Sequence, residues 1–263
     1  MDLQLDGKLS LVTGSTAGIG FAIAEALLRE GARVIVNGRT QAGVDAALAR
    51  LAPSLRERAT GFAGDLADAA VAAALAQRHD DVAILVNNLG IFEPREFADI
   101  TDDDWRRFFD INVLSGVRLA RLYLPAMRRH DWGRIIFISS ESGVQIPAEM
   151  IHYGTTKTAQ LAVSRGLAES LAGTGITVNA VLPGPTRSRG VNDFVDALAK
   201  NEGKSFEQFE AEFFAKVRPT SLIRRFATPE EVANLVAYVA SPLSSATTGA
   251  ALRVDGGVVK SAI

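Results

Sequence analysis

Leu9-Ser10-Leu11-Val12-Thr13-Gly14-Ser15-Thr16-Ala17-Gly18-Ile19-Gly20-Phe21-Ala22-Ile23 is the stretch that decides the fold. A short apolar run, Leu9 to Val12, leads into three glycines and then into an Ala/Leu/Arg/Glu-rich helical pattern, Phe21 to Glu30. A run this short, bounded by turn residues, reads as a buried strand, and the segment from Phe21 reads as a helix. Glycines at a strand-to-helix turn let the main chain bend sharply and come close to a bound group. The helix N-terminus behind them favours negative charge. Gly14, Ser15, Thr16, Gly18, Ile19 and Gly20 therefore read as a cradle for the pyrophosphate of a dinucleotide. The residues between Gly14 and Gly18 exceed the usual G-x-G-x-x-G spacing and mark a different variant of the nucleotide fold. Three glycines alone would serve equally as packing devices; their placement carries the reading.

Outward from this turn, short apolar runs recur with helical patterns between them: Arg33 to Val36, Gly61 to Ala63, Val82 to Val86, Arg134 to Ile138, Thr177 to Val181 and Ala250 to Val254. Several are nearly continuous Val/Ile/Leu, as strands covered on both faces require. Helices are expected over Val44 to Leu51, Asp102 to Arg129, Met150 to Leu171 and Pro229 to Ala240. Gly31 stands where a helix ends, and Thr228-Pro229-Glu230-Glu231 has the hydroxyl, proline and acids of a helix start. The alternation implies an α/β fold, a Rossmann-like doubly wound parallel sheet of about seven strands with helices on both faces, in one domain over residues 1–263. The rhythm breaks only at Arg187 to Phe226, a candidate lid over a cleft.

Composition narrows the function. A formal charge of −2 lacks the positive field of a nucleic-acid binder, so no nucleic acid is expected as partner. With no cysteine there is no disulfide and no thiolate zinc site, which suits a reducing cytoplasm, and no metal set is singled out. Met1 to Gly7 has neither a basic start nor an apolar run and reads as mature protein, and no stretch is apolar enough to span a bilayer, so no membrane role is expected.

Specificity for the adenosine ribose is read near the end of the second strand, here Val36-Asn37-Gly38-Arg39-Thr40. No carboxylate stands there to bond a 2′-hydroxyl, Gly38 leaves space, and Arg39 offers a bidentate donor for a 2′-phosphate. NADP(H) is favoured, with NAD(H) possible, although a lone arginine serves equally as a solvated surface charge. Farther on, Tyr153-Gly154-Thr155-Thr156-Lys157 begins a helix, and the four-residue separation puts phenol and ammonium on one face. An ammonium at that distance stabilises the phenolate and draws its pKa down toward neutrality, as a general acid or base requires. Ser140 comes just after a strand, where open α/β sheets place their sites, and can donate to a substrate oxygen or serve as a turn residue.

The glycine turn, Asn87-Asn88-Leu89-Gly90, Asn112, Ser140, Tyr153, Lys157 and Pro183-Gly184 occur in the order and at about the spacing of the short-chain dehydrogenase/reductase family. The chain resembles that family over essentially its whole length, as a single-domain Tyr-x-x-x-Lys member like the 3-oxoacyl-carrier-protein reductases. The resemblance implies hydride transfer between NADP(H) and a carbonyl or alcohol. It further implies a tetrad: Tyr153 as acid or base, Lys157 on the nicotinamide ribose, Ser140 on the carbonyl, and Asn112 shaping a helix around a relay water. Asp65 and Leu66 would bracket the adenine, Asn87 and Gly90 line the cofactor cleft, and Pro183, Gly184 and Thr186 border the nicotinamide. Where the family usually has alanine this chain has Leu89, which would either shift the adenosine end or repack. Arg187 to Phe226 corresponds to the variable substrate-binding segment. Its Phe194, Phe206, Phe209, Phe213 and Phe214 form either a gate or the buried stripe of a helix. Glu141, Gln145, Ile146, Glu149 and His152 flank the site, with His152 expected at the surface because helix neighbours point apart. A homodimer or homotetramer is implied, built on the helices around Asp102 to Arg129 and Met150 to Leu171 and on the last strand. Two other functions compete: a dinucleotide-binding sensor or structural protein without turnover, and an epimerase or dehydratase, which needs a further C-terminal domain.

Overall fold

The computed structural model describes residues 2–187 and 205–262. Within them the strands are β1 (Leu9–Val12), β2 (Arg33–Gly38), β3 (Ala59–Ala63), β4 (Ile84–Asn87), β5 (Gly133–Ile138), β6 (Ile176–Pro183) and β7 (Ala251–Val254). They form one sheet in the order β3-β2-β1-β4-β5-β6-β7, every adjacent pair parallel. The helices are α1 (Gly18–Arg29), α2 (Gln41–Arg50), the single turn α3 (Pro53–Arg56), α4 (Ala69–Arg78), α5 (Asp102–Phe109), α6 (Ser115–Arg129), α7 (Ile151–Glu169), α8 (Phe206–Lys216) and α9 (Pro229–Ala240). No helix among the described residues is long and apolar enough to cross a membrane.

Successive strand residues point to opposite faces, so a continuous apolar run feeds two cores at once. Val12, Val36, Val86 and Ile136 pack with α1 and α9 on one face. Their neighbours Leu11, Ile35, Leu85 and Ile135 pack with α4 and α6 on the other. Helix ends obey the local chemistry. Thr228 and Glu231 make a reciprocal capping box at the start of α9, and Gly31 takes φ +88° just after α1.

Two boundaries differ from the sequence pattern in ways that matter for the site. The first helix begins at Gly18 rather than Phe21, because the last two glycines of the turn already lie in its first turn. The run from Asp102 to Arg129 is not one regular helix: α5 and α6 are joined by a wider π turn, Asp110–Leu114, that carries Asn112. Strand β1 lies between β2 and β4, so the chain reverses its direction of travel across the sheet there. Loops leaving neighbouring strands on opposite sides open a crevice at such a point. Thr13-Gly14 and Asn87-Asn88 stand at its rim.

Candidate active site

The glycine turn is held from below. Ser15 Oγ donates to Val12 O (2.7 Å) and accepts Asn37 N–H (2.9 Å), while its own N–H bonds Asn37 O (2.8 Å). The Ser15 donors are thus spent inside the protein, and this residue fastens the turn instead of facing a cofactor as the sequence suggested. Gly14 and Gly18 have φ of +60° and +55°, the left-handed region that side chains avoid. A Cβ on Gly20 would lie 2.6 Å from Gly14 O and 2.5 Å from Asn88 Nδ2. The residue that caps α1 is Ala17, whose methyl offers no acceptor, and the first turn of the helix holds no acid. The first main-chain bond of the helix is Phe21 N–H to Ala17 O (3.2 Å), so the N–H groups of Gly18, Ile19 and Gly20, residues that line the cleft, have no partner within the helix. An uncapped helix start behind a glycine turn fits a pyrophosphate.

Thr13 and Asn88, which the sequence did not single out, latch the two loops of the crevice. Thr13 Oγ1 accepts the N–H groups of Asn88 and Leu89, each at 2.9 Å, and Asn88 Nδ2 donates to Thr13 O (2.9 Å) and Gly14 O (3.2 Å). Their places in the two turns were the only signal. Leu89 has repacked: its Cδ1 leans over Gly14, and the side chain joins the second core.

At the far end of the crevice, Asn37 is committed to structure, accepting Gly14 N–H and donating to Phe62 O and Gly64 O. The space expected over Gly38 is filled. A Cβ there would lie 2.4 Å from the Thr16 methyl, so the glycine is required by packing. Arg39 is exposed and makes no hydrogen bond or ion pair with the described residues. Asp65 is exposed and binds Ala67 N–H (3.0 Å), whereas Leu66 is buried in the core, so only its main chain is available to a base. Asn87 is buried with both amide atoms unpartnered. Such an orphaned group costs roughly 1–3 kcal/mol unless a ligand meets it.

A cleft of about 970 Å³ runs from Ala17, Gly18, Ile19 and Gly20 past Gly90, Pro183, Gly184 and Thr186 to Ser140, Tyr153 and Lys157. Gly184 has to be glycine there, since a Cβ would lie 2.5 Å from Asp255 O. Lys157 is buried, its Nζ donating to Ile138 O (2.9 Å) and Gln160 Oε1 (3.3 Å) and lying 5.6 Å from the centre of the Tyr153 ring. Asn112 stands behind the cleft. Its side chain donates to Ile91 O and Thr156 Oγ1 (both 3.0 Å) and accepts Ile91 N–H (2.8 Å), tying the π turn to the loop after β4 and to α7. The Asn112 carbonyl accepts from Gln160 Nε2 (2.5 Å). Gln160, buried and not anticipated from the sequence, therefore bridges Lys157 to the Asn112 carbonyl. Position 160, one turn beyond Lys157, was the available clue.

Burial shapes the proton chemistry. It pushes the Tyr153 phenol above its ordinary range, with the Glu141 carboxylate adding to the rise and the Ser140 hydroxyl and Arg218 opposing it. Burial alone lowers Lys157 to about 7. The phenol therefore stands above its ordinary range rather than below it as the sequence led one to expect, because desolvation and Glu141 outweigh the Ser140 hydrogen bond and Arg218. Ser140 Oγ donates to Glu141 Oε2 (2.5 Å). His152 is buried, not at the surface, with its ring 4.0 Å from that of Phe108 and 6.1 Å from that of Trp105. Helix α5 covers it.

From the variable segment, Phe209, Phe213 and Phe226 line the cleft, while Phe206 and Phe214 complete a small aromatic core with them. Gate and buried stripe are thus one cluster; Phe194 lies outside the described residues. Among those residues no group of three His, Asp or Glu is arranged to hold a metal.

A short-chain-dehydrogenase family model, described as enoyl-(acyl carrier protein) reductase, matches residues 14–259. This chain belongs to the short-chain dehydrogenase/reductase family. It is 49% identical to the uncharacterized oxidoreductase YvaG of Bacillus subtilis over 262 residues, covering 99% of each chain. It is 36% identical to the D-beta-hydroxybutyrate dehydrogenase of Cupriavidus necator, covering 97% of this chain and 99% of that one. Among solved structures, the L-sorbose reductase of Gluconobacter frateurii, complexed with NADPH and L-sorbose, superposes with a TM-score of 0.92 at 30% identity, covering 99% of this chain and 100% of that one. The chain is accordingly an oxidoreductase of the hydride-transferring kind.

Proposed function

We propose that this chain interconverts a small carbonyl compound and its alcohol with NADP(H) in preference to NAD(H), Tyr153 passing the proton. The observation that carries the reading is a single cleft with an uncapped helix N-terminus at one end and Tyr153, Lys157 and Ser140 at the other. Gly14, Gly18, Ile19, Gly20, Gly90, Pro183, Gly184 and Thr186 would hold the dinucleotide, with Arg39 and Asp65 outside the cleft at its adenosine end. NADPH, when bound, would supply the hydride.

In the reducing direction the carbonyl oxygen gains negative charge as it is attacked, and the Tyr153 hydroxyl gives up its proton to that oxygen. A phenol held above its ordinary range suits the acid. In the oxidising direction the same group must first ionise, so that direction gains most from raised pH. Ser140 stands where the charge develops and would donate to it once its proton turns from Glu141 to the substrate oxygen. Lys157 would hold the ribose, and Asn112 with Gln160 fixes Lys157 and the loop after β4. Arg187 and residues 205–226 act as a cover, supported by Phe209 and Phe213 on the cleft wall. Exposed Leu114 and Leu122 beside and on α6 support assembly as a dimer or tetramer, which light scattering would test against a clean monomer.

A sensor without turnover has no use for a buried amine beside a phenol at the open end of a cleft. The deciding experiment tracks NADPH absorbance against a panel of ketones, oxo acids and sugars, with NADH in parallel. Consumption with at least one carbonyl class, faster with NADPH, supports the reading, whereas binding of NADPH with no turnover of any class favours the sensor.

A further inference from the structure

Beside Ser140 the cleft carries an ionic arrangement that proton transfer alone does not require. Glu141 is buried, and its Oε2 takes the one proton that Ser140 Oγ has to give, while Ser140 Oγ accepts Ser142 N–H (3.1 Å). Arg218, just beyond α8 and with a side chain only 11% exposed, reaches the other Glu141 oxygen through Nε (3.3 Å) and Glu149 Oε1 through Nη1 (3.4 Å). All three side chains line the cleft beside Tyr153. They come from the residue after Ser140, the turn before α7 and the end of α8, so the fold assembles them only across the substrate end.

Two features give this trio a function. Its formal charge is −1, from two carboxylates and one guanidinium. Among the described residues, the other ionic groups of the cleft wall do not reverse that sign: Glu93 is paired with Arg95, Lys216 with Glu212, and Lys157 is committed beneath Tyr153. A substrate carboxylate next to the reacting carbon would meet the Glu141 carboxylate and would have to take Arg218 from it, leaving a buried acid without its cation, which is costly; Glu149, with a side chain 46% exposed, sits at the outer edge of the trio. The Arg218 contacts are also long for charged hydrogen bonds, which prefer about 2.7–2.9 Å, so Glu141 keeps capacity to accept a further donor, and a neutral hydroxyl in the cleft can approach its Oε2, the oxygen that Ser140 bonds. Such a hydroxyl donates to Glu141 in place of Ser140, and Ser140 then has its proton free for the carbonyl oxygen.

Building on the hydride-transfer reading above, we infer that Glu141, held by Arg218, selects uncharged carbonyl compounds bearing a hydroxyl on the carbon next to the carbonyl, the α-hydroxyketone and ketose class, and rejects oxo acids. Glu141 is a specificity-determining residue whose occupation by substrate completes the donor on Ser140.

The test uses three ketones of nearly equal size that differ only beside the carbonyl: hydroxyacetone with a hydroxymethyl, butanone with an ethyl and pyruvate with a carboxylate. With NADPH, kcat/KM for hydroxyacetone exceeds both others by at least about tenfold, the ratio a site built to bond one hydroxyl yields. In Glu141→Gln the ratio of hydroxyacetone to butanone falls toward one and the relative rate on pyruvate rises, in protein whose melting temperature confirms folding. Binding of the same ketones to NADPH-loaded protein, monitored by nucleotide fluorescence, reads selection without turnover. If wild type handles pyruvate as well as hydroxyacetone, or the Glu141→Gln ratio is unchanged, the inference is overturned while reductase activity stands. Failure of hydroxyacetone to bind overturns it too. Glu141-dependent binding of hydroxyacetone with no NADPH oxidation would overturn the reductase reading and leave the selection intact.

Discussion

Replacing Arg39 with alanine separates the two nicotinamide cofactors. The side chain stands next to Gly38 at the end of β2, is exposed and is bonded to no described residue, so its removal leaves no partner stranded and moves stability by less than about 0.5 kcal/mol. Its proposed partner is the 2′-phosphate that only NADPH carries. Hydrogen bonds to charged groups contribute roughly 1.5–3 kcal/mol, and solvent exposure trims an ion pair toward ~1 kcal/mol. The net is ~1–2 kcal/mol, or about 5–30-fold in affinity. Initial rates at fixed carbonyl and low salt should therefore show KM for NADPH rising by that factor in Arg39→Ala, with KM for NADH nearly unmoved. Added salt should narrow the wild-type preference, because an exposed pair is screened. Reversal through Gly38 is closed, since the Thr16 methyl occupies the place of its Cβ, so an acid belongs at 39. Equal changes for both cofactors, or none, would refute the assignment.

Lys157→Met should abolish turnover while leaving the melting temperature within a few degrees of wild type near neutral pH, since relief of a buried amine, roughly 1–3 kcal/mol, is offset by the acceptors it leaves at Ile138 O and Gln160 Oε1, also roughly 1–3 kcal/mol. The folded chain holds Lys157 near about 7 against an ordinary 10.5. Between those values the unfolded chain binds the proton and the folded one does not, so wild-type stability from this group rises with pH and wild type gains on Met in melts taken across that window. Gly20→Ala should weaken NADPH binding at least about tenfold by calorimetry and lower stability by roughly 1–3 kcal/mol, as its Cβ would collide with Gly14 O and Asn88. Gln160→Leu leaves the Asn112 carbonyl without its Gln160 partner and removes one acceptor from Lys157, so denaturant melts should show a loss of roughly 1–3 kcal/mol.

The sheet was legible because its strands are nearly continuous Val/Ile/Leu, and the glycine turn because it lies between a strand and a helix. Residues whose role is local, such as Thr228 at a helix start or Gly31 at a helix end, behave as their chemistry dictates. Features that depend on contacts between distant segments were hidden. His152 is buried because Trp105 and Phe108 come to it from another helix. Ser15 turns inward to meet Asn37, and Thr16 fills the space beside Gly38. The π turn at Asp110–Leu114 preserves a helical apolar pattern on both sides, so periodicity cannot reveal it. Glu141 and Arg218 are 77 residues apart, and only the fold makes them neighbours. Tyr153 and Lys157 sit one turn apart, as their spacing implies, but their ionisation is set by burial, which no local spacing encodes.

Tyr153→Phe tests the central claim most directly, because it removes one oxygen and keeps the ring that packs at 6.2 Å against Phe92. With NADPH and the best carbonyl substrate, kcat should fall by about 10²–10⁴, the range for a lost general acid, while NADPH binding stays within about twofold of wild type by the energy of a surface-like change. Turnover within a few-fold of wild type would contradict the account.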